Sequence, residues 1–403
     1  MESTVLSNEV FSTVPERHFV PPTVNPRKSC RSFTRLETHF RMLDLALTFI
    51  GLGFNKTSRW KKLVRIAMGI FLHLFFAFRF SVFLFRVKKE HFGLDTGVFI
   101  ISREVFVIFI WHLASAKMEN LANLLKCILK ISCYFPNLGS RKWDRLFYVA
   151  LLSIYLFFIA VTILMTCVMT YSEIRNYIYI TLFGTVLNSY HSVVVFLLYG
   201  AFNYYILVVS LTVSSTYIYA CCCLKKMLTT CSQRLKKCRT HYDVELIYNS
   251  ALKLYSVMEQ LESAFSLCVL FVTIFNLLLA FTSFFYGLGY HNLKNTRSSI
   301  TVGVVSWLIG NATSFVLICW CAFEVKGKLL NLKKRMQLRL INLKYGEKNA
   351  RKLDLSIFDT ASLTAGNFFH LTKSFPIAAL GLSFTYGVLI VQTLNYEDPD
   401  EDQ

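Results

Sequence analysis

Seven runs of apolar residues, each about twenty long, are the strongest constraint this chain places on its own fold. That length crosses roughly 30 Å of hydrocarbon as an α-helix. The runs are Val64–Phe85, Leu94–Ala116, Leu146–Met169, Tyr190–Tyr217, Phe265–Gly289, Ile300–Phe323 and Phe375–Leu394. Hydrophobic residues make up 54% of the chain and charged ones 17%, too apolar for a soluble domain. The fold class expected is an all-α membrane protein with seven transmembrane helices. The second run is the weakest, because it contains Arg103 and Glu104. No internal repeat or second soluble domain is visible. The first forty residues are mostly polar and read as a disordered tail. They lack a basic start followed by an apolar core and a cleavage site, so the first span is expected to direct insertion.

The net charge of +19 raises the question of a nucleic-acid partner, and its distribution answers it. Lysine and arginine crowd the segment before the first span and the loops after the second, fourth and sixth. The last of these holds Lys326, Lys328, Lys333, Lys334, Arg335, Arg339, Lys344, Lys348, Arg351 and Lys352. The alternate loops hold only Arg86, Lys88 and Lys89, then Arg175, then Lys294 and Arg297. Basic loops mark the cytoplasmic side. The N-terminus is therefore expected inside and the C-terminus outside, and no nucleic-acid partner is expected.

Cysteines agree with that orientation, since most fall in or beside the inferred cytoplasmic half and none in the outer loops. The run Cys221-Cys222-Cys223, followed by Leu224-Lys225-Lys226, is either a palmitoylation site at a span end or a set of reduced thiols near the membrane. It lacks zinc-ligand spacing. Two glycosylation sequons, at Asn55 and Asn311, fall on the cytoplasmic side and within span six, where neither is used. Phosphate loops, HExxH, GxSxG and paired intramembrane aspartates are absent from the sequence. No enzyme, catalytic residue, cofactor or metal is expected. Leu329, Leu330, Leu332, Met336, Leu340, Ile341 and Leu343 recur at helical spacing among basic residues, and Tyr248–Ala264 has similar character. Either these are surface helices on anionic membrane lipid or they form a packed cytoplasmic core shared between subunits.

Seven spans with the N-terminus inside is the reverse of a G-protein-coupled receptor, and the end of span three, Met169-Thr170-Tyr171-Ser172-Glu173, has no DRY-like triplet. Thr385-Tyr386, five apolar or small residues, then Gln392 resembles the signature of the arthropod gustatory receptors in their last span. Leu363-Thr364-Ala365-Gly366-Asn367-Phe368-Phe369 resembles the segment that precedes that span in the family. The close resemblance covers roughly Ser362–Leu394. Thr393 stands where the family has phenylalanine, and Gly387 stands where sugar-tuned members tend to carry glutamate. The resemblance implies a ligand-gated, non-selective cation channel of four subunits, as a homotetramer or with related subunits, with the last span lining the pore. It implies a plasma-membrane receptor of gustatory neurons for a small non-sugar tastant, such as a bitter compound. A metabotropic seven-span receptor and a transporter are the alternative readings.

The expected segments are a cytoplasmic tail over 1–45, helices 1–6 with cytoplasmic extensions over 46–323, and a basic linker over 324–370. A pore helix over 371–394 and an acidic outer tail over 395–403 complete the chain. An α-helix turns about 100° per residue, so with Thr385 at zero, Leu389 falls at about 40°, Gln392 at about −20° and Tyr396 at about 20°. Gly387 falls at about 200°, on the opposite face, and Tyr386 at about 100°. If the stripe faces a shared axis, Leu389 forms an apolar constriction and Gln392 a polar ring. A glutamine hydrogen-bonded to a neighbouring helix is the plainer alternative. Intramembrane polar groups need a partner or a cavity. Arg79, Arg103, Glu104, His191, Tyr199, Trp307 and Asn311 are such groups in the inferred outer half. Of these, Arg103, His191, Tyr199, Trp307 and Asn311 are the candidate ligand contacts, within a pocket that the resemblance places among the first six spans.

Overall fold

The computed structural model describes residues 26–53, 59–88, 94–132, 189–287, 298–343 and 353–396, with isolated positions at 156 and 160. It is an all-α membrane protein. Seven α-helices occur among the described residues: α1 Pro26–Phe49, α2 Arg59–Lys88, α3 Leu94–Ser132, α4 Ser189–Leu235, α5 His241–Gly287, α6 Ser298–Leu343 and α7 Ser374–Tyr396. Five of them, α2 to α6, are long and apolar enough to cross a membrane. Six of the seven expected spans coincide with these helices. The third, Leu146–Met169, lies outside the described residues apart from positions 156 and 160, as do the tail residues 397–403.

Helix α1 replaces the expected tail from residue 26 onward. Its cause is local: Leu43, Leu47 and Ile50 recur every three or four residues and are fully buried. Phe40 joins them edge-on to Tyr219 of α4, with ring centroids 5.8 Å apart. The helix ends in a Schellman motif. Gly51 adopts φ +79°, its amide donates to the Thr48 carbonyl at 2.9 Å, and the Leu52 amide donates to Leu47 at 2.6 Å. A Cβ at Gly51 would lie 2.9 Å from Met68 Cβ, so the space and the backbone both call for glycine. The last carbonyl, Ile50, accepts from the Trp111 indole at 3.0 Å and the Tyr205 hydroxyl at 3.1 Å. Lys61 of α2 pairs with Asp44 of α1.

Helices α4, α5 and α6 contain 47, 47 and 46 residues, so each is about 70 Å long, well over twice the hydrocarbon thickness. In each helix the charged residues gather in one half, and the charged halves pack together. Leu224, Met227, Leu228, Leu254, Val257, Met258, Leu329, Leu332 and Met336 are all buried there. Burying such a side chain from water contributes about 1.5–3 kcal/mol. These amphipathic segments therefore pack against one another within the chain, with Leu338 and Ile341 left on the outer face.

The turn between α4 and α5 is closed from both sides. Thr240 and Asp243 form a capping box: the Asp243 amide donates to Thr240 Oγ1 and the Thr240 amide to the Asp243 carboxylate, both at 3.1 Å. Two arginines of α6 reach across. Arg335 donates to Ser232 Oγ at 2.9 Å, and Arg339 donates to the Cys238 carbonyl at 3.2 Å. These basic residues thus satisfy carbonyl and hydroxyl groups at a helix end, a task their charge pattern alone did not reveal.

Candidate functional site

The segment joining α6 to α7 runs along α5, and side chains seven residues apart hold it there. Tyr248 donates its hydroxyl to the Asp354 carbonyl at 2.8 Å. Tyr255 hydrogen-bonds Thr360 Oγ1 at 2.9 Å. Glu262 accepts from the Thr364 amide at 2.9 Å and from its hydroxyl. One turn on, the Ser266 carbonyl accepts from the Gly366 amide at 2.9 Å. Positions four or seven apart share a helix face, so the four form one stripe. Between the first two, Phe358 is fully buried, its ring 6.0 Å from both tyrosine rings and edge-on to each. Phe358 belongs to a short 3₁₀ turn, Ser356–Phe358. Asp354 starts that turn by accepting from the Ser356 hydroxyl at 2.6 Å and the Ser356 amide at 2.9 Å. Those two bonds, the hydroxyl first, hold its carboxyl below the usual value of 3.8. Lys333 of α6 pairs with Asp359 at the other end of the turn.

A two-stranded hairpin follows, β1 Thr364–Ala365 and β2 Phe369–His370. Gly366 and Asn367 both adopt φ +63°, the sign a type I′ turn requires at its two central positions. The Phe368 amide closes the turn on the Ala365 carbonyl at 3.1 Å. Asparagine is one of the few non-glycine residues that tolerate this conformation. A Cβ on Gly366 would approach Leu270 Cδ2 to 2.5 Å, which presses the turn against α5.

Helix α7 then starts at a charged junction. Lys373 lies over the rings of Trp320 and Phe323 on α6, 4.3 and 4.8 Å from their centroids. Its ammonium also pairs with Glu324 at 3.5 Å, and Glu324 pairs with Lys225 of α4 at 3.4 Å. Beyond the junction, Phe375 packs edge-on against Phe315 of α6 and stacks on Phe369 of the hairpin. Pro376 and Gly387 are buried. Thr385, Tyr386, Leu389 and Gln392 are exposed. The Thr385 hydroxyl donates to the Gly381 carbonyl at 3.0 Å, one turn back in its own helix. The exposed face of α7 thus carries Thr385, Leu389 and Gln392, with Gly381 and Ile377 also exposed, and the glycine expected on the far side is the one that packs.

The other polar residues singled out in the sequence are dispersed. Arg79 of α2 and Glu104 of α3 form a buried ion pair at 2.7 Å. Asn311 is buried in α6, and His191 is exposed near the start of α4. The Lys225–Glu324 and Arg335–Ser232 contacts set α4 and α6 in parallel, about one hundred residues out of step. On that register Asn311 is level with residue 212, some 30 Å along the axis from His191. These two therefore do not meet in one small pocket. Arg103, Tyr199 and Trp307 lie on described helices, but their side chains are outside the described set. Near the level of Asn311, Ser210 of α4, Thr273 and Asn276 of α5 and Ser314 of α6 are buried. Their side-chain polar atoms have no protein partner among the described residues. The antiparallel Tyr217–Phe265 ring contact, 5.6 Å between centroids, puts Ser210 and Thr273 side by side in register.

The fold has a solved counterpart. The chain superimposes on the insect olfactory receptor OR5 from Machilis hrabei with a TM-score of 0.62 and 14% sequence identity, covering 90% of this chain and 99% of that one. The fold is that of an insect olfactory receptor. It is not the fold of an enzyme family. No family model matches the chain, and no curated protein matches it either.

In this olfactory-receptor fold the linker contacts are what sequence reasoning missed. Tyr248, Tyr255 and Glu262 carried only a weak signal, a seven-residue spacing among the other polar residues in that half of α5. Their partners lie 102 to 106 residues away, beyond any local pattern. The Lys373–Glu324–Lys225 junction left no sequence cue at all.

Proposed function

We propose that this protein is a chemosensory receptor subunit of the gustatory type, acting as a ligand-gated, non-selective cation channel. One observation carries the reading: in a chain with the olfactory-receptor fold, the outward face of the last helix bears Thr385, Leu389 and Gln392. Four copies, or copies of related subunits, place that face around a shared axis. Leu389 is then the apolar constriction and Gln392 the polar ring above it. The basic loops set the N-terminus inside and the C-terminus outside, in the plasma membrane of gustatory neurons. The ligand is a small non-sugar tastant, since Gly387 stands where sugar-tuned relatives carry glutamate. Trp307 and Asn311 remain candidate contacts from α6, with Tyr199, His191 and Arg103 further out.

The buried groups of Ser210, Thr273, Asn276 and Ser314 support a hydrated floor beneath such a pocket, because buried polar atoms without protein partners call for water or a ligand. Expression alone in a non-neuronal cell, with a ligand panel and current recording under G-protein blockade, tests the function. Ligand-evoked currents that persist under blockade are expected. Currents abolished by blockade favour the metabotropic alternative. Tags on both termini test sidedness: a surface-accessible N-terminus with a hidden C-terminus overturns the channel reading.

A further inference from the structure

The cysteine run at residues 221–223 has no part in the function proposed above, and its middle member faces a partner. Nine free cysteines are described, and only Cys127, Cys222 and Cys321 are less than fully buried. The Cys222 thiol on α4 and the Cys321 thiol on α6 lie beside each other. The register supports that meeting independently. One turn further along both helices, Lys225 and Glu324 form their ion pair at 3.4 Å, and each lies three residues beyond its cysteine. Positions three apart share a face, so the two contacts belong to one seam between parallel helices. Cys221, Cys223 and Cys319 are buried. A part-buried thiol that keeps some exposure, with cations one turn away, here Lys225 and Lys226, is the setting in which cysteines react.

We propose that Cys222 and Cys321 are a reversible dithiol site that a peroxide closes into a disulfide. The Cys222 sulfur attacks one peroxide oxygen, the O–O bond breaks, and a sulfenic acid forms as the first water leaves. The Cys321 sulfur then attacks the sulfenic sulfur, the S–S bond forms, and the hydroxyl leaves as the second water. Two thiols are oxidised and one peroxide is reduced to two waters. In a reducing compartment the pair rests as thiols and closes only under oxidant. The bond pins α6 to α4 one turn from Glu324, which holds Lys373 at the start of α7.

The test uses the full-length protein in lipid nanodiscs, exposed to hydrogen peroxide, alkylated after denaturation, digested and read by mass spectrometry. A peptide pair linked through Cys222 and Cys321 is expected, with both thiols protected from alkylation and both recovered after dithiothreitol. C321S abolishes the link, whereas C127S and C319S leave it intact. Each variant is checked by its elution profile. The wild-type result stands by itself: no link after peroxide, or links that favour other cysteines, overturns the proposal. So does a hydroxylamine-labile acyl chain on Cys222, which would make the site one of lipidation.

Discussion

Glu262 holds Thr364 at two points, the backbone amide at 2.9 Å and the hydroxyl, across 102 residues of chain. This pair fixes the hairpin that leads into α7. Replacing Glu262 with alanine leaves a part-buried amide and hydroxyl without their acceptor, at a cost of about 1–3 kcal/mol. E262Q keeps one acceptor oxygen and falls between the two. Thermal unfolding in detergent reads the order wild type, E262Q, E262A. Equal stability of all three would show that the contact contributes nothing.

Gly366 offers a sharper test of the same contact. G366A meets both the φ of +63° and a Leu270 methyl 2.5 Å from the new carbon. The left-handed conformation alone costs about 1–2 kcal/mol for an alanine. Trimming the obstacle in G366A/L270A is expected to recover the steric part and leave the conformational part. A double variant as stable as L270A alone would refute the backbone argument.

Arg79 and Glu104 make a double-mutant cycle. Removing one member of a buried ion pair strands the other and costs about 3–5 kcal/mol, while replacing both by apolar residues is often neutral. R79M and E104L are each expected to melt well below wild type. The double variant R79M/E104L is expected to return most of the loss. Additive losses would mean the two side chains act separately.

Asp354 makes the linker sensitive to acid. Its carboxyl is held below 3.8 by the Ser356 hydroxyl and amide. A group lowered in the folded state contributes stability above its unfolded value, and that contribution is lost as pH falls through the folded one. Hydrogen exchange over residues 353–360 is therefore expected to stay slow at neutral pH and rise only below the ordinary carboxylate range. D354N is expected to remove the acid step and exchange faster at every pH. A step near neutrality would point to another group.

The outward stripe of α7 is read by current. Leu389→Ser is expected to raise current without ligand by wetting the constriction. Gln392→Ala is expected to change conductance or ion preference more than ligand sensitivity. Both variants must reach the surface. If both conduct as wild type does, the stripe does not line a pore.

The helices of this fold were legible because hydrophobic length is a strong signal, and α2 to α7 sit where their runs lie. Helix α1 was not, because its stripe of Phe40, Leu43, Leu47 and Ile50 is set among arginines and polar residues. The need for a partner at Glu104 was legible; that Arg79 supplies it depends on how two helices align. Gly387 was placed on the packed face by helical geometry alone. The linker was the least legible, since Tyr248, Tyr255 and Glu262 meet partners about a hundred residues away. Local spacing carries the elements, and distant pairing carries the way the last helix is held.

The end of α1 has a consequence for biosynthesis. Its terminal carbonyl, at Ile50, finds its two donors on Trp111 and Tyr205, 61 and 155 residues later in the chain. While the ribosome is still making α2, neither donor exists. Helix α1, made before either donor, is therefore among the last of the described helices to settle, and its end waits until α4 has been delivered.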